Sequence, residues 1–187
     1  IVPSGRMTER YSPPPGPSPW ILPLDFTSPP RVLQPLAKLP VQSDPSGGLF
    51  LPPETASITT RNGIIIPKVN RFPDGRVSMG SLHHAGDTLT WTIDVPQEGL
   101  FDVYLALGSI DRQADAVFRL STSLSEIEGT TWLTGHYAKP VRKAVGQLQL
   151  RAGTDNVVLR VIAVPKGSFS DVHGVWLVPT ISRLIPD

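Results

Sequence analysis

No cysteine occurs anywhere in this sequence, which removes disulfides, thiolate zinc sites and a cysteine nucleophile from the functions open to it. Runs of one charge are missing too. Seventeen basic residues against sixteen acidic ones leave a formal charge of +1, with no lysine or arginine cluster to neutralise a row of phosphates, so nucleic acid is not an expected partner. Long apolar runs are also absent. The stretch Val157 to Val164 is interrupted by Arg160, whereas a membrane-spanning helix needs ~20 residues, so no transmembrane segment is expected. A chain without thiols leans towards an extracytoplasmic setting, periplasmic or secreted. Ile1 opens the sequence and its first methionine is Met7, which points to a processed or partial product.

Proline, by contrast, is abundant and unevenly placed. Fourteen of the twenty-one prolines fall within residues 1–53, including Pro13, Pro14, Pro15, Pro17 and Pro19. Proline donates no ladder hydrogen bond and favours the extended polyproline II form, so residues 1–53 read as an extended arm or linker without sheet or helix. The arm also carries Trp20, Ile21, Leu22 and Phe26. That is more apolar surface than a spacer needs, and these residues are candidates for contact with a partner subunit or with the chain's own folded domain.

From Ala56 onward the dominant period is two. Leu89, Trp91, Ile93 and Val95 alternate with threonines and Asp94, and Phe101, Val103, Leu105 and Leu107 alternate with Asp102, Tyr104 and Ala106. Each set places apolar side chains on one face of a strand. With Pro96 to Gly99 as a turn between them, the two strands are expected to form a hairpin. Further strands are expected at residues 57–60, 63–67, 76–79, 116–121, 147–151, 156–164 and 172–178. Many short strands without intervening helices predict an all-β sandwich over residues 54–187.

The stretch GDTLTWTIDVPQEGLFDVYLAL, followed by TTWLTGHY, VGQLQLRAGTDNVVLRVI and SDVHGVWLVP, resembles the galactose-binding-like jelly rolls, notably carbohydrate-binding modules appended to bacterial glycoside hydrolases. Trp91, Gly99, Phe101, Trp132, Gly135, Gly153, Asn156 and Leu159 carry the resemblance, which covers Glu54 to Pro179 and leaves the arm unmatched. It implies an antiparallel jelly-roll β-sandwich that binds glycan in loops at one edge or end and catalyses nothing. A sugar has an apolar C–H face and a polar rim, so a flat ring with a few oriented polar groups is the minimal site. Trp132, Tyr137 and Phe169 are the candidate rings, with His83, His136 and Arg71 as polar candidates and Asp171 near them. Trp91 and Trp176 lie within strand patterns and read as core. Modules of this kind also imply a structural calcium, for which Glu54 and Asp171 stand in suitable places.

Catalytic constellations are not evident. No G-x-S-x-G turn marks a serine nucleophile, and the SGG at Ser46–Gly48 lacks the lysine and helix of a phosphate loop. His83 and His84 are adjacent, so on a regular strand they point to opposite faces and cannot share a metal. Glu126 and Glu128 read as a solvated strand edge rather than a glycosidase pair. Two functions remain. One is a non-catalytic glycan-binding module. The other is a structural accessory subunit of a hetero-oligomeric, extracytoplasmic or membrane-associated assembly, with the sandwich as docking platform and the arm lacing along partner subunits.

Overall fold

The computed structural model describes residues 38–61 and 68–180. They form two sheets packed face to face. The strands are β1 (Val41–Gln42), β2 (Leu49–Leu51), β3 (Ser57–Thr59), β4 (Lys68–Arg71), β5 (Val77–Gly80), β6 (Thr88–Val95), β7 (Gly99–Ser109), β8 (Val117–Ser121), β9 (Glu126–Thr130), β10 (His136–Leu150), β11 (Gly153–Ala163) and β12 (Asp171–Pro179). One sheet runs β1-β6-β11-β8-β9, with β3 also on β6, and the other runs β10-β7-β12-β5-β4, with β2 also on β12. Apart from the parallel pair β1 and β6, neighbours are antiparallel. The all-β expectation of a jelly-roll sandwich is thus met.

Period-two alternation builds the core. Leu89, Trp91, Ile93 and Val95 of β6, Phe118 and Leu120 of β8, and Val157, Leu159 and Val161 of β11 face Val103, Leu105 and Leu107 of β7, Leu148 and Leu150 of β10, and Val175 and Leu177 of β12 across the gap between the sheets. Each such side chain contributes roughly 1.5–3 kcal/mol by leaving water. Trp91 also donates its indole N–H to the carbonyl of Pro52 at 2.8 Å, so its polar edge is satisfied within the core.

Three sequence expectations are corrected. β6 and β7 are not a hairpin: β6 pairs with β1, β3 and β11, while β7 pairs with β10 and β12. Both strands present one apolar face, and such a face is buried equally well by an opposing sheet as by membership of the same one. The Pro-rich stretch is not free of strand either, because β1 and β2 lie within residues 1–53. Its prolines fall where ladder bonds are not needed: Pro40 before β1, Pro45 in the turn after it, Pro52 and Pro53 beyond β2. Asp44 closes that turn by accepting from the backbone N–H groups of Ser46 and Gly48 at 2.8 and 3.0 Å. Finally, Trp176 is not core, since it alternates out of phase with buried Val175 and Leu177 and lies half-buried on the outer face of its sheet. The strand expected at residues 63–67 lies outside the described residues, as do residues 1–37 of the expected arm.

Candidate functional site

At one end of the sandwich, the loops after β5 and β7 and the starts of β10 and β12 enclose a cleft of ≈ 290 Å³. Asp87 shapes the first of these loops. One carboxylate oxygen accepts the backbone N–H groups of both His83 and His84 at 3.0 Å, and the other accepts that of Arg61 at 3.1 Å. The loop begins at Ser81, whose φ of 65° is a left-handed conformation that side chains other than glycine seldom take. Strain of this kind persists only where the surroundings over-determine it. Both Ser81 and His83 line the cleft.

The floor is a polar network centred on Asp171, the first residue of β12, which is only 5% exposed. Its carboxylate accepts from Asn70 Nδ2 at 3.0 Å, Ser78 Oγ at 3.1 Å and Gln113 Nε2 at 3.2 Å. Burial pushes the Asp171 carboxyl above its ordinary value, and the three donors and His173 pull it partly back. Gln113 joins the loops: its backbone carbonyl accepts from Thr131 Oγ1 at 2.8 Å and Ser170 Oγ at 3.0 Å, while its side-chain oxygen accepts from the Ile110 N–H at 3.1 Å. Ser168 adds a buried hydroxyl on the cleft wall that has no hydrogen-bond partner among the described residues.

Tyr137 supplies the ring. It is 43% exposed, stacks on His136 with centroids 4.5 Å apart, and approaches Phe72 at 6.3 Å. Its backbone carbonyl is 2.8 Å from His173 Nε2, and the His173 ring stacks on Phe72 at 5.7 Å. Burial lowers the pKa of His173 from its ordinary value. Arg112, exposed beside the cleft, brings a guanidinium within the lining.

Of the ring and polar candidates, Tyr137 and His83 come together here. His136 supports the Tyr137 ring from outside the lining, its Nδ1 held by the Ala138 N–H at 2.9 Å. Trp132 packs half-buried against the core and lines a different recess, with Lys143 Nζ 5.0 Å from its ring centre. Phe169 is corrected outright: it is 0% exposed and packs edge-on to Phe118 in the core, with no face for a ligand. Arg71 is exposed and does not line the cleft, because it follows Asn70 on β4 and points the other way. Trp20, Ile21, Leu22 and Phe26 lie outside the described residues.

The calcium pair also fails to assemble. Asp171 is surrounded by hydrogen-bond donors, whereas a calcium site needs converging oxygen acceptors, and Glu54 lines a separate groove. Among the described residues no group of three His, Cys, Asp or Glu side chains is placed to hold a metal. Glu126 and Glu128 sit on edge strand β9, each paired with Arg119, at 3.4 and 3.1 Å. Asn70, Ser81, Arg112, Gln113 and Ser168 were not singled out by sequence.

No protein-family model and no curated protein sequence matches the chain. Solved structures do match its fold. A Podospora anserina β-(1,4)-mannanase carrying a family 35 carbohydrate-binding module aligns at a TM-score of 0.58 and 17% identity, covering 74% of this chain and 29% of the mannanase. A family 35 module from Clostridium thermocellum aligns at 0.55 and 12%, covering 71% of this chain and 98% of the module. The family 35 module of Cellvibrio japonicus Abf62 aligns at 0.56 and 13%, covering 70% and 92%. At these identities the likeness is one of fold, and that fold is the jelly-roll sandwich of carbohydrate-binding modules.

Proposed function

We propose that this chain is a non-catalytic carbohydrate-binding module acting outside the cytoplasm, with its glycan site in the loop-end cleft. The observation that carries this reading is the convergence of an exposed ring, Tyr137, with Asn70, Arg112 and Gln113 around one cleft. The ring suits the C–H face of a pyranose, and the side-chain donors suit its hydroxyls. Asp171 acts as a positioning residue. Its buried carboxylate accepts from Asn70 and Gln113 and fixes both side chains. Similarity of fold to family 35 modules adds support, and among the described residues no helix is long and apolar enough to cross a membrane.

Calorimetry of the whole chain against neutral and acidic oligosaccharides, starting with β-(1,4)-mannooligosaccharides, tests the reading. Tyr137→Ala and Arg112→Ala are each expected to weaken binding about tenfold or more, a loss of ~1.4 kcal/mol, with thermal stability little changed. Binding of no oligosaccharide by the intact chain sinks the proposal, and unaltered affinity in both variants moves the site elsewhere.

A further inference from the structure

The outer face of the sheet built from β10, β7, β12 and β2 collects exposed apolar side chains. Leu100 of β7, Phe50 of β2 and Val178 of β12 point out from it and are 42, 43 and 44% exposed, while Val103, Leu105, Val175 and Leu177, which alternate with the outward residues, are buried. A contiguous patch of this kind marks an interaction surface. Its centre is already filled from within the chain. The Phe50 ring centre lies 4.7 Å from that of Trp176, and the Arg142 guanidinium lies 5.1 Å over Trp176 and 5.7 Å over Tyr104. What is left is broad and shallow.

The register divides this face into rows. Ala144, Tyr104, Trp176 and Phe50 form the middle row, with Gln147, Asp102 and Val178 on one side of it and Arg142, Ala106 and Gly174 on the other. The two flanking rows are complementary. One projects Val178 and the Asp102 carboxylate, which accepts from Gln147 Nε2 at 2.8 Å. The other has almost no side chain at Ala106 and Gly174, adjoins a groove of ≈ 340 Å³ lined by Phe50, Ala106 and Trp176 among others, and carries Arg142 at its β10 end. Neither Asp102 nor Arg142 has an ion-pair partner among the described residues. A half-turn about the middle row exchanges the flanking rows. It sets Val178 of each copy against the Phe50 ring and the groove of the other, and it brings each Asp102 carboxylate beside the other copy's Arg142, so every contact occurs twice, as in an isologous interface. Four strands ~4.8 Å apart and roughly 25 Å long offer about 500 Å² in projection, more once side-chain relief is counted, against the ~800 Å² per partner of a standard interface. That area fits a dimer of modest affinity.

We infer that this face joins two copies of the chain in a symmetric dimer, its two-fold axis along the Tyr104–Trp176–Phe50 row and its sheets packed face to face, with strands antiparallel to within the ~30° of aligned sheets. The inference does not rest on the glycan reading. Because the axis reverses the strands, the loop-end clefts of the two copies open at opposite ends, so the dimer presents two separate sites rather than one enlarged site.

Sedimentation equilibrium of the full chain from about 1 μM to about 1 mM, the range in which a small interface dissociates, is expected to show a monomer–dimer equilibrium. Asp102→Arg and Arg142→Asp each place like charges across the axis, and Val178→Asp places a charge on the Phe50 ring, so each should raise the dissociation constant about tenfold or more. The double variant Asp102→Arg with Arg142→Asp re-forms both cross-axis pairs with their signs exchanged and should recover most of that loss. Tyr137→Ala should dimerise as the parent chain does. All three interface positions are at the surface, so a variant that circular dichroism shows to be misfolded leaves the others to decide. A chain that stays monomeric at the highest concentration overturns the inference, and so does a dimer that none of the three substitutions weakens or that the double variant fails to restore.

Discussion

Two residues behind the Tyr137 ring, Gly108 and His173, hold the start of β10 in place. A Cβ added to Gly108 on β7 would lie 1.9 Å from the Tyr137 carbonyl oxygen and 3.0 Å from His173 Nε2. No rotamer change relieves a clash with backbone. Gly108→Ala should therefore displace the start of β10, destabilise the fold by roughly 1–3 kcal/mol and weaken glycan binding, as read by urea unfolding and calorimetry. A variant of wild-type stability would show that β10 does not pack there. His173 gives a pH dependence. Its folded pKa lies below the ordinary 6.5 because burial disfavours the charged ring, so the unfolded chain takes up the proton first as pH falls. The stability it contributes is full above 6.5 and is lost as pH drops towards the folded value. Asp171 has the opposite sign, since burial raises its folded pKa above 3.8 and its contribution is lost as pH rises through that raised value. Unfolding free energies measured from pH 7.5 to 5 should fall on acidification by at most ~1.4 kcal/mol per pH unit from this one histidine. In His173→Gln the fall should be smaller, and an unchanged slope would assign it to other groups.

Among the elements, β1 and β2 change the account most. β2 places Leu49 and Leu51 in the core and Phe50 beside Trp176, and the segment after it supplies the Pro52 carbonyl that takes the Trp91 indole proton. β1 adds Val41 against the core along β6. A fragment of residues 54–187 should therefore be less stable than one of residues 38–187 by several kcal/mol, since each buried leucine is worth ~2–5 when lost and the indole N–H is left unpaired. Circular dichroism melts of the two fragments test this, and equal melting temperatures would contradict it. Edge strand β9 differs in kind. Its glutamates lie half in solvent opposite Arg119, and such exposed pairs contribute little beyond discouraging edge-to-edge association.

For the molecule as a whole, composition and periodicity carried the fold a long way. The absence of cysteine, the balanced charge and the period-two runs at residues 88–95, 101–107, 156–164 and 172–178 depend only on local side-chain order, and alternation of that kind survives any choice of strand partner. Tyr137 and His83 were candidates on a different ground, as ring-bearing or polar residues in expected loops or strand ends. What local order cannot determine is partnership. Whether β6 pairs with β7 or faces it, whether Phe169 points into the core or Trp176 out of it, and whether a proline-dense stretch still contributes two short strands all depend on which distant backbone satisfies each N–H and C=O group. The clefts belong to that second category. Asn70, Gln113, Ser168 and Asp171 are separated by up to 101 residues, and Phe50 and Trp176 by more, so only the pairing of sequence-distant strands and the loops they carry brings them together.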